Sequence, residues 1–446
     1  MSSAAEQLAA NMNFGAFSKA TELKNRIWFT LGALIVYRLG TYIPLPGIDP
    51  VVLNDIFSQQ SGGILGMFDM FSGGALGRMT IFALNIMPYI SASIIMQLMT
   101  SISPKLGALK KEGESGRKVI NQYTRYGTVV ITALQAYGIA VGLEGMTSSA
   151  GSAVIDPGLF FRFTTVVTLV GGTMFLMWLG EQITARGVGN GISLIIFSGI
   201  VANLPSALAG TLELSRTGAI SPILIIALLL MTVGVIFFII FMERAQRRII
   251  VQYPKRQQGN KMSGGEASHL PLKLNTAGVI PPIFASSILL MPITIIGFSA
   301  GQGPEWLGTV AALLGRGQPL YLFIYISLIV FFAFFYTAVV FNPEDTADNL
   351  KKYGGFVPGI RPGKNTSQYL DRVLTRLTVV GAAYLSAVCL LPEILISRFS
   401  VPFYFGGTSL LIVVTVTLDT VAQIQSHLLA HQYEGLIKKS KLKGRR

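Results

Sequence analysis

Few residues in this sequence could do chemistry. A thiol nucleophile would have to be Cys389, the one cysteine, and a metal or general-base site would have to draw on the three histidines, His269, His427 and His431. Cys389 falls inside an apolar run and the histidines lie far from it in sequence, so neither a nucleophile–base pair nor a metal-ligand spacing is formed. A single cysteine also excludes a disulfide framework within the chain. Gly187-Val-Gly-Asn-Gly191 has the glycine density of a phosphate-binding turn, but it follows no strand and opens an apolar segment, so close helix contact is the better account of it. No G-x-x-x-x-G-K-[ST] occurs, which excludes a P-loop. No catalytic residue, cofactor-binding residue or metal ligand is expected, and whatever work the chain does must be driven from outside it.

The elements that could hold a site in place are set by where charge is missing. Of 446 residues 51% are apolar or aromatic and 13% are charged, with 35 Lys+Arg against 21 Asp+Glu for a formal +14. A soluble domain carries about twice that charged fraction, so the composition is that of a membrane protein and excludes an ordinary cytosolic enzyme. A membrane helix needs about 20 apolar residues, because a rise of about 1.5 Å per residue must cross about 30 Å of hydrocarbon. Runs of suitable length without Asp, Glu, Lys or Arg are 79–104, 126–143, 163–180, 187–212, 217–242, 274–304, 317–343, 377–392 and 399–418. A tenth, 27–43, contains Arg38 near one end, from where a long side chain reaches the headgroups. Ten spans are expected, making an all-α polytopic membrane protein.

Orientation follows from the basic residues between spans. With the N-terminus in the cytoplasm, 29 of the 35 Lys and Arg fall on inside segments, and only Arg38, Arg78, Arg162, Arg216, Arg316 and Arg398 fall outside. A missed or extra span would destroy that asymmetry. Both termini are expected in the cytoplasm, with residues 1–22 forming a polar arm that lacks the apolar core of a signal sequence and 431–446 a basic tail.

Three features exceed simple spanning. Residues 62–77, on the outer side after the first span, are an apolar stretch of about eight residues framed by glycines, too short to cross, and so interfacial or re-entrant. The seventh span holds Pro281, Pro282 and Pro292, which predicts a kinked or interrupted helix. The cytoplasmic loops 243–273 and 344–376 are too long for mere connections and suggest partners. Ten spans divide into five plus five, 23–212 and 217–430, and an odd number per half makes the halves run in opposite directions. Inverted halves are the plan of many secondary transporters, which keeps a small-solute transporter open. Against ion coupling, Glu181 and Asp419 lie at predicted helix ends, and only polar residues such as Asn85, Gln97, Asn190 and Asn275 fall within the windows.

Met67-Phe-Asp-Met-Phe-Ser-Gly-Gly-Ala-Leu76, Phe82-Ala-Leu-Asn-Ile-Met-Pro-Tyr-Ile-Ser-Ala-Ser-Ile-Ile95, Lys111-Glu-Gly-Glu-Ser-Gly-Arg117, Gly187-Val-Gly-Asn-Gly-Ile192, Gly278-Val-Ile-Pro-Pro-Ile-Phe-Ala285, Phe341-Asn-Pro-Glu-Asp-Thr-Ala-Asp-Asn-Leu-Lys351, Phe356-Val-Pro-Gly-Ile-Arg-Pro-Gly363 and Pro402-Phe-Tyr-Phe-Gly-Gly-Thr-Ser409 together resemble the SecY family, the channel subunits of bacterial Sec translocases. The resemblance runs in order from about residue 20 to 444 and is weakest in the first twenty residues and in the outer loops 144–156 and 297–315. It implies two inverted five-helix halves around a central pore, opening across the membrane and sideways into lipid. It implies passage of unfolded secretory polypeptides, signal sequences among them, through the inner membrane of a bacterium, without enzymatic activity.

The resemblance also implies roles for particular residues. Ile86, Ile90, Ile196, Ile200, Ile283 and Ile412 map onto a constriction ring, with 86/90 and 196/200 each at i, i+4 on one helix face. Read without it, any of these isoleucines would be an ordinary helix or lipid contact. Residues 62–77, with Ile64, Leu65, Met67, Phe68, Met70 and Phe71, map onto a plug half-helix closing the outer funnel at rest. Ser91, Gln97, Asn275, Pro281 and Pro282 map onto the lateral gate. Arg247, Arg248, Lys255, Arg256 and Arg361 map onto cytoplasmic docking loops for the SecA motor or for ribosomal RNA of the ribosome, although the positive-inside rule alone would place basic residues there. Arg361 differs, since Pro358-Gly-Ile-Arg-Pro-Gly363 sets it between prolines in a constrained turn. The implied assembly is a heterotrimer with SecE and SecG in the bilayer, with SecD/SecF and YidC as further partners and no cofactor.

Overall fold

The computed structural model describes residues 21–53, 69, 72–145, 147–148, 151–217, 221–253, 256–258, 261–263, 267–298, 318–399 and 407–443. Residues 1–20 of the N-terminal arm, the expected plug residues Ile64, Leu65, Met67, Phe68, Met70 and Phe71, and Lys255 lie outside them.

In chain order the helices are α1 (Thr21–Gly40), α2 (Met87–Ile102), α3 (Pro104–Lys111), α4 (Glu114–Gly145), α5 (Leu159–Arg186), α6 (Gly191–Ala202), α7 (Leu204–Arg216), α8 (Pro222–Arg244), α9 (Ile280–Phe298), α10 (Pro319–Val340), α11 (Pro343–Lys352), α12 (Lys364–Phe399) and α13 (Gly407–Lys443). Each of the ten charge-poor windows falls on one of them, with α6 and α7 sharing the fifth. Among the described residues seven helical stretches are long and apolar enough to cross a membrane, and α2 and the first part of α9 are shorter apolar pieces. Outward faces match a hydrocarbon solvent: of the most apolar window of α8 only 11% is buried, and Ile223, Phe237 and Phe241 project from it exposed.

One expectation is corrected. The seventh span is not interrupted, since α9 runs unbroken from Ile280 through position 292 to Phe298. Pro281 and Pro282 occupy the first turn, where amides have no intrahelical acceptor and a missing N–H costs nothing. The second window is also shorter than expected, because residues 81–86 form turns and α2 begins only at Met87.

By packing the chain forms two compact units, one from the described residues of Met1–Tyr89, Arg125–Asn203 and Val416–Arg446, the other from Ile90–Thr124 and Leu204–Thr415. The sequential halves 23–212 and 217–430 are a matter of chain direction, which packing does not address. In the first unit, Tyr37, Phe82 and Phe175 stack at centroid distances of 6.2 and 5.9 Å. Near one end of the α4–α5 pair Arg125 meets Glu181 at 2.6 Å, and near the other Arg162 holds Glu144 through two nitrogens at 2.6 and 3.0 Å. α5 and α6 cross closely: a Cβ on Gly191 would overlap the carbonyl of Gly180.

In the second unit α10 packs between α9 and α12, with Phe284 edge-on to both Phe332 and Tyr336. The loop after α8 is a β-ribbon. β3 (Gln246–Gln252) pairs antiparallel with β6 (Ala267–Lys273), from Gln246↔Lys273 to Gln252↔Ala267, and β4 (Arg256–Gln258) with β5 (Lys261–Ser263) beyond. A short pair, β1 (Thr147–Ser148) and β2 (Gly151–Ser152), lies between α4 and α5.

Candidate functional site

The glycine turn before α6 is filled from within. Val188 N donates to Thr30 Oγ1 at 3.0 Å, Gly189 N to Gln423 Oε1 at 2.8 Å and Gly191 N to Thr184 Oγ1 at 2.9 Å, while Asn190 caps α6 through Ile192 N and Ser193 N. The amides that a phosphate would need are taken. Instead the turn ties α1, α5, α6 and α13 together, which is the helix-contact role its glycines suggest.

Late in the 62–77 stretch the backbone is gripped by arginines. Tyr37 OH donates to Ser72 O at 3.3 Å, Arg38 Nη1 to Gly73 O at 3.1 Å, and Arg78 Nε and Nη2 to Gly74 O and Gly73 O at 2.8 and 3.2 Å. Three successive carbonyls are thus bound by three side chains. Asp69 closes the same turn, its Oδ1 accepting from Gly77 N at 2.6 Å, and the Arg78 guanidinium lies 4.2 Å above the Tyr42 ring. Gly73 and Gly74 take positive φ of 69° and 83°, and a Cβ on Gly73 would lie 3.0 Å from Gly199 Cα. This turn therefore lies against α6 at Gly199. The sequence had recorded Arg38 and Arg78 only as outer-side charges.

The six isoleucines fall three to each unit. Ile86, Ile196 and Ile200 belong to the first and are 1, 7 and 2% exposed; Ile90 and Ile412 of the second are 6 and 1% exposed, and Ile283 is half-buried. Ile196 and Ile200 share a face of α6 as expected, whereas Ile86 sits one residue ahead of α2. Of the residues expected at a lateral gate, Ser91, Asn275, Pro281 and Pro282 are buried and Gln97 is half-buried on α2. Asn275 Nδ2 donates to Glu243 Oε1 at 2.7 Å and to Gly278 O at 3.0 Å.

The two long cytoplasmic loops make one body. Gln252 and Phe356 exchange both backbone hydrogen bonds at 2.9 Å, adding the second loop to the edge of β3. Beneath, Ile249 and Leu272 of the ribbon pack with Val357 and with Leu370, Val373 and Leu377 of α12. Arg247 and Arg248 on β3 are exposed, as is Arg361, whose carbonyl accepts from Thr366 Oγ1 at 2.9 Å and so fixes its turn to α12. Arg256 begins β4. Sequence reading had these loops as separate; the alternation Arg248-Ile-Ile-Val251, with Ile249 and Val251 inward and Ile250 outward, was the signal for a strand.

Comparison with known proteins agrees with this geometry. The family model described as SecY matches residues 80–421. A curated relative, "Protein translocase subunit SecY" of Rickettsia conorii, is 58% identical over 96% of this chain and 99% of its own length, and that of Escherichia coli K12 is 58% identical over 95% of this chain and 96% of its own. Two solved structures share the fold at 18% identity, each covering 91% of this chain and 92% of theirs. One is described as a protein conducting channel, with a TM-score of 0.67, and the other is Sec61 in a canine ribosome-channel complex, with a TM-score of 0.64. With a family match over most of its length and relatives more than half identical across nearly all of it, the chain belongs to the SecY family.

Proposed function

We propose that this multi-pass membrane chain is the protein-conducting channel subunit of a Sec translocase in a bacterial inner membrane. It passes unfolded secretory polypeptides outward and releases apolar segments sideways into the bilayer. The observation that carries the reading is the near full-length identity to curated translocase subunits; the docking body of the cytoplasmic loops supports it. The channel is passive and not an enzyme, driven by the SecA motor or by the ribosome, with SecE and SecG as its membrane partners, SecD/SecF and YidC as accessory ones, and rRNA meeting Arg247, Arg248, Lys255, Arg256 and Arg361.

A narrow ring of Ile86, Ile90, Ile196, Ile200, Ile283 and Ile412 excludes ions by dewetting at rest and closes around an extended chain of any sequence. Sideways release needs no motor. Ten apolar residues of a signal sequence, at roughly −0.3 to −0.6 kcal/mol each, favour lipid by about 3–6 kcal/mol, enough to bias an open seam beside α2 and α9.

The test is a crosslink. Cys389 is replaced by Ala, a single cysteine is placed at Ile86, and a stalled secretory chain is presented in vesicles. A crosslink from position 86 to the stalled chain is expected. A small-solute transporter would give none.

A further inference from the structure

Glu243 stands in the last turn of α8, the end at which unpaired carbonyls make a negative field that disfavours a carboxylate. Three residues later the chain enters the ribbon, and where β6 returns, Leu274 N donates to Ala245 O at 2.9 Å and closes the ribbon's base. Asn275 follows at once. It is 5% exposed, and its single amide nitrogen gives one hydrogen to Glu243 Oε1 and the other to Gly278 O, in the turn leading into α9. α12 leaves this joint little slack, for a Cβ on Gly381 would stand 3.1 Å from Leu274 O and 3.7 Å from Asn275 Oδ1. One turn further along α12, Tyr384 is near enough to interact electrostatically with Glu243.

We propose that Glu243 is a positioning residue for channel gating: through Asn275 it fixes the start of α9 to the base of the docking ribbon. At rest this bond holds α9 in place, and load applied to the ribbon by a motor or ribosome reaches α9 through it. The proposal rests on α9 being a moving element of the lateral gate. A carboxylate is the fitting acceptor, because a charge-assisted bond is about twice as strong as a neutral one, which accounts for its presence at an unfavourable helix end.

The experiment uses the full chain with its partner subunits in vesicles. It compares transport of a precursor with an intact signal sequence against one whose apolar core is interrupted by a charge. Glu243→Ala is expected to raise passage of the defective precursor about tenfold relative to the intact one, with motor binding unchanged, and Glu243→Gln, which keeps the acceptor, to restore most of the discrimination. An Ala variant that discriminates like the parent, or that loses both precursors equally, overturns the proposal. Should the Ala variant fail to fold, Asn275→Asp sets two carboxylates against each other, and adding Glu243→Gln gives the new carboxylate an amide donor. Discrimination recovered in that double variant supports the joint, and no recovery overturns it. A chain that gives no crosslink from position 86 fails as a channel whatever Glu243 does, whereas one that crosslinks yet discriminates as before loses only this joint.

Discussion

Asp69 carries a half-buried carboxyl whose neighbours disagree about its charge. Burial pushes its pKa above the usual carboxylate range, while the Gly77 and Leu76 amides, the Arg78 guanidinium and the Ser72 hydroxyl pull it back. For an acid with a raised folded pKa, stability falls as pH rises from the unfolded value through the folded one, so charging Asp69 costs the turn and acid relieves it. The hydrogen bond to Gly77 N, not the charge, is then the useful part. Asp69→Asn keeps that acceptor and is expected to leave the resting ion conductance at or below the parent's at pH 7. Asp69→Ala strands the Gly77 amide at a cost of about 1–3 kcal/mol and, if the 62–77 stretch is a plug, is expected to raise the leak as the turn at Gly73 loosens. Planar-bilayer conductance without substrate reads both, and equal values for the two variants would sink this role. None of this was legible beforehand, because Asp69, Arg38 and Arg78 meet only through turns at residues 72–79 that hydropathy does not encode.

Helices were far more legible than the parts between them. A charge-free window reports the solvent around a segment, so α4, α5, α8, α10 and α12 could be read from composition. The ribbon β3–β6 was not, since its short alternation is masked by Arg247 and Arg248, which topology alone would put there. Of the two outcomes expected from proline in α9, interruption does not occur, because Pro281 and Pro282 stand in the first turn, where a helix tolerates them. Glycine invites the same caution and supplies a test. Gly191 lies against the backbone of Gly180, and an added methyl must push one helix off the other; Gly138 in α4 has nothing within 4 Å of where a Cβ would be. Gly191→Ala is expected to lower the melting temperature of the purified complex by several degrees, from a cost of about 1–3 kcal/mol or more. Gly138→Ala, by contrast, is expected to raise it slightly, from a gain of about 0.4–1 kcal/mol. Equal shifts would mean that the α5–α6 crossing does not depend on its missing side chains.

For the molecule as a whole, the +14 charge is first an orientation signal: 29 of 35 basic residues on one side fix which loops meet the cytoplasm, where Arg361 and its neighbours are proposed to serve partners. The proposed ring has the opposite character, since its candidate side chains are all apolar. If those six isoleucines seal a common pore, the seal has no privileged half. A serine at Ile196 of the first unit or at Ile412 of the second would each admit water where branched carbons had kept the constriction dry, and each is expected to make the resting channel conduct ions. Loss of a buried isoleucine also destabilises by about 2–5 kcal/mol, so a leak could follow from loosened packing alone. Ile139 separates the two causes, being 1% exposed in α4 and outside the ring. Ile139→Ser is expected to lower the melting temperature as much as Ile196→Ser while leaving conductance at the parent's level. Equal leakage from all three would make the ring ordinary core, and leakage from one unit alone would confine the seal to that unit.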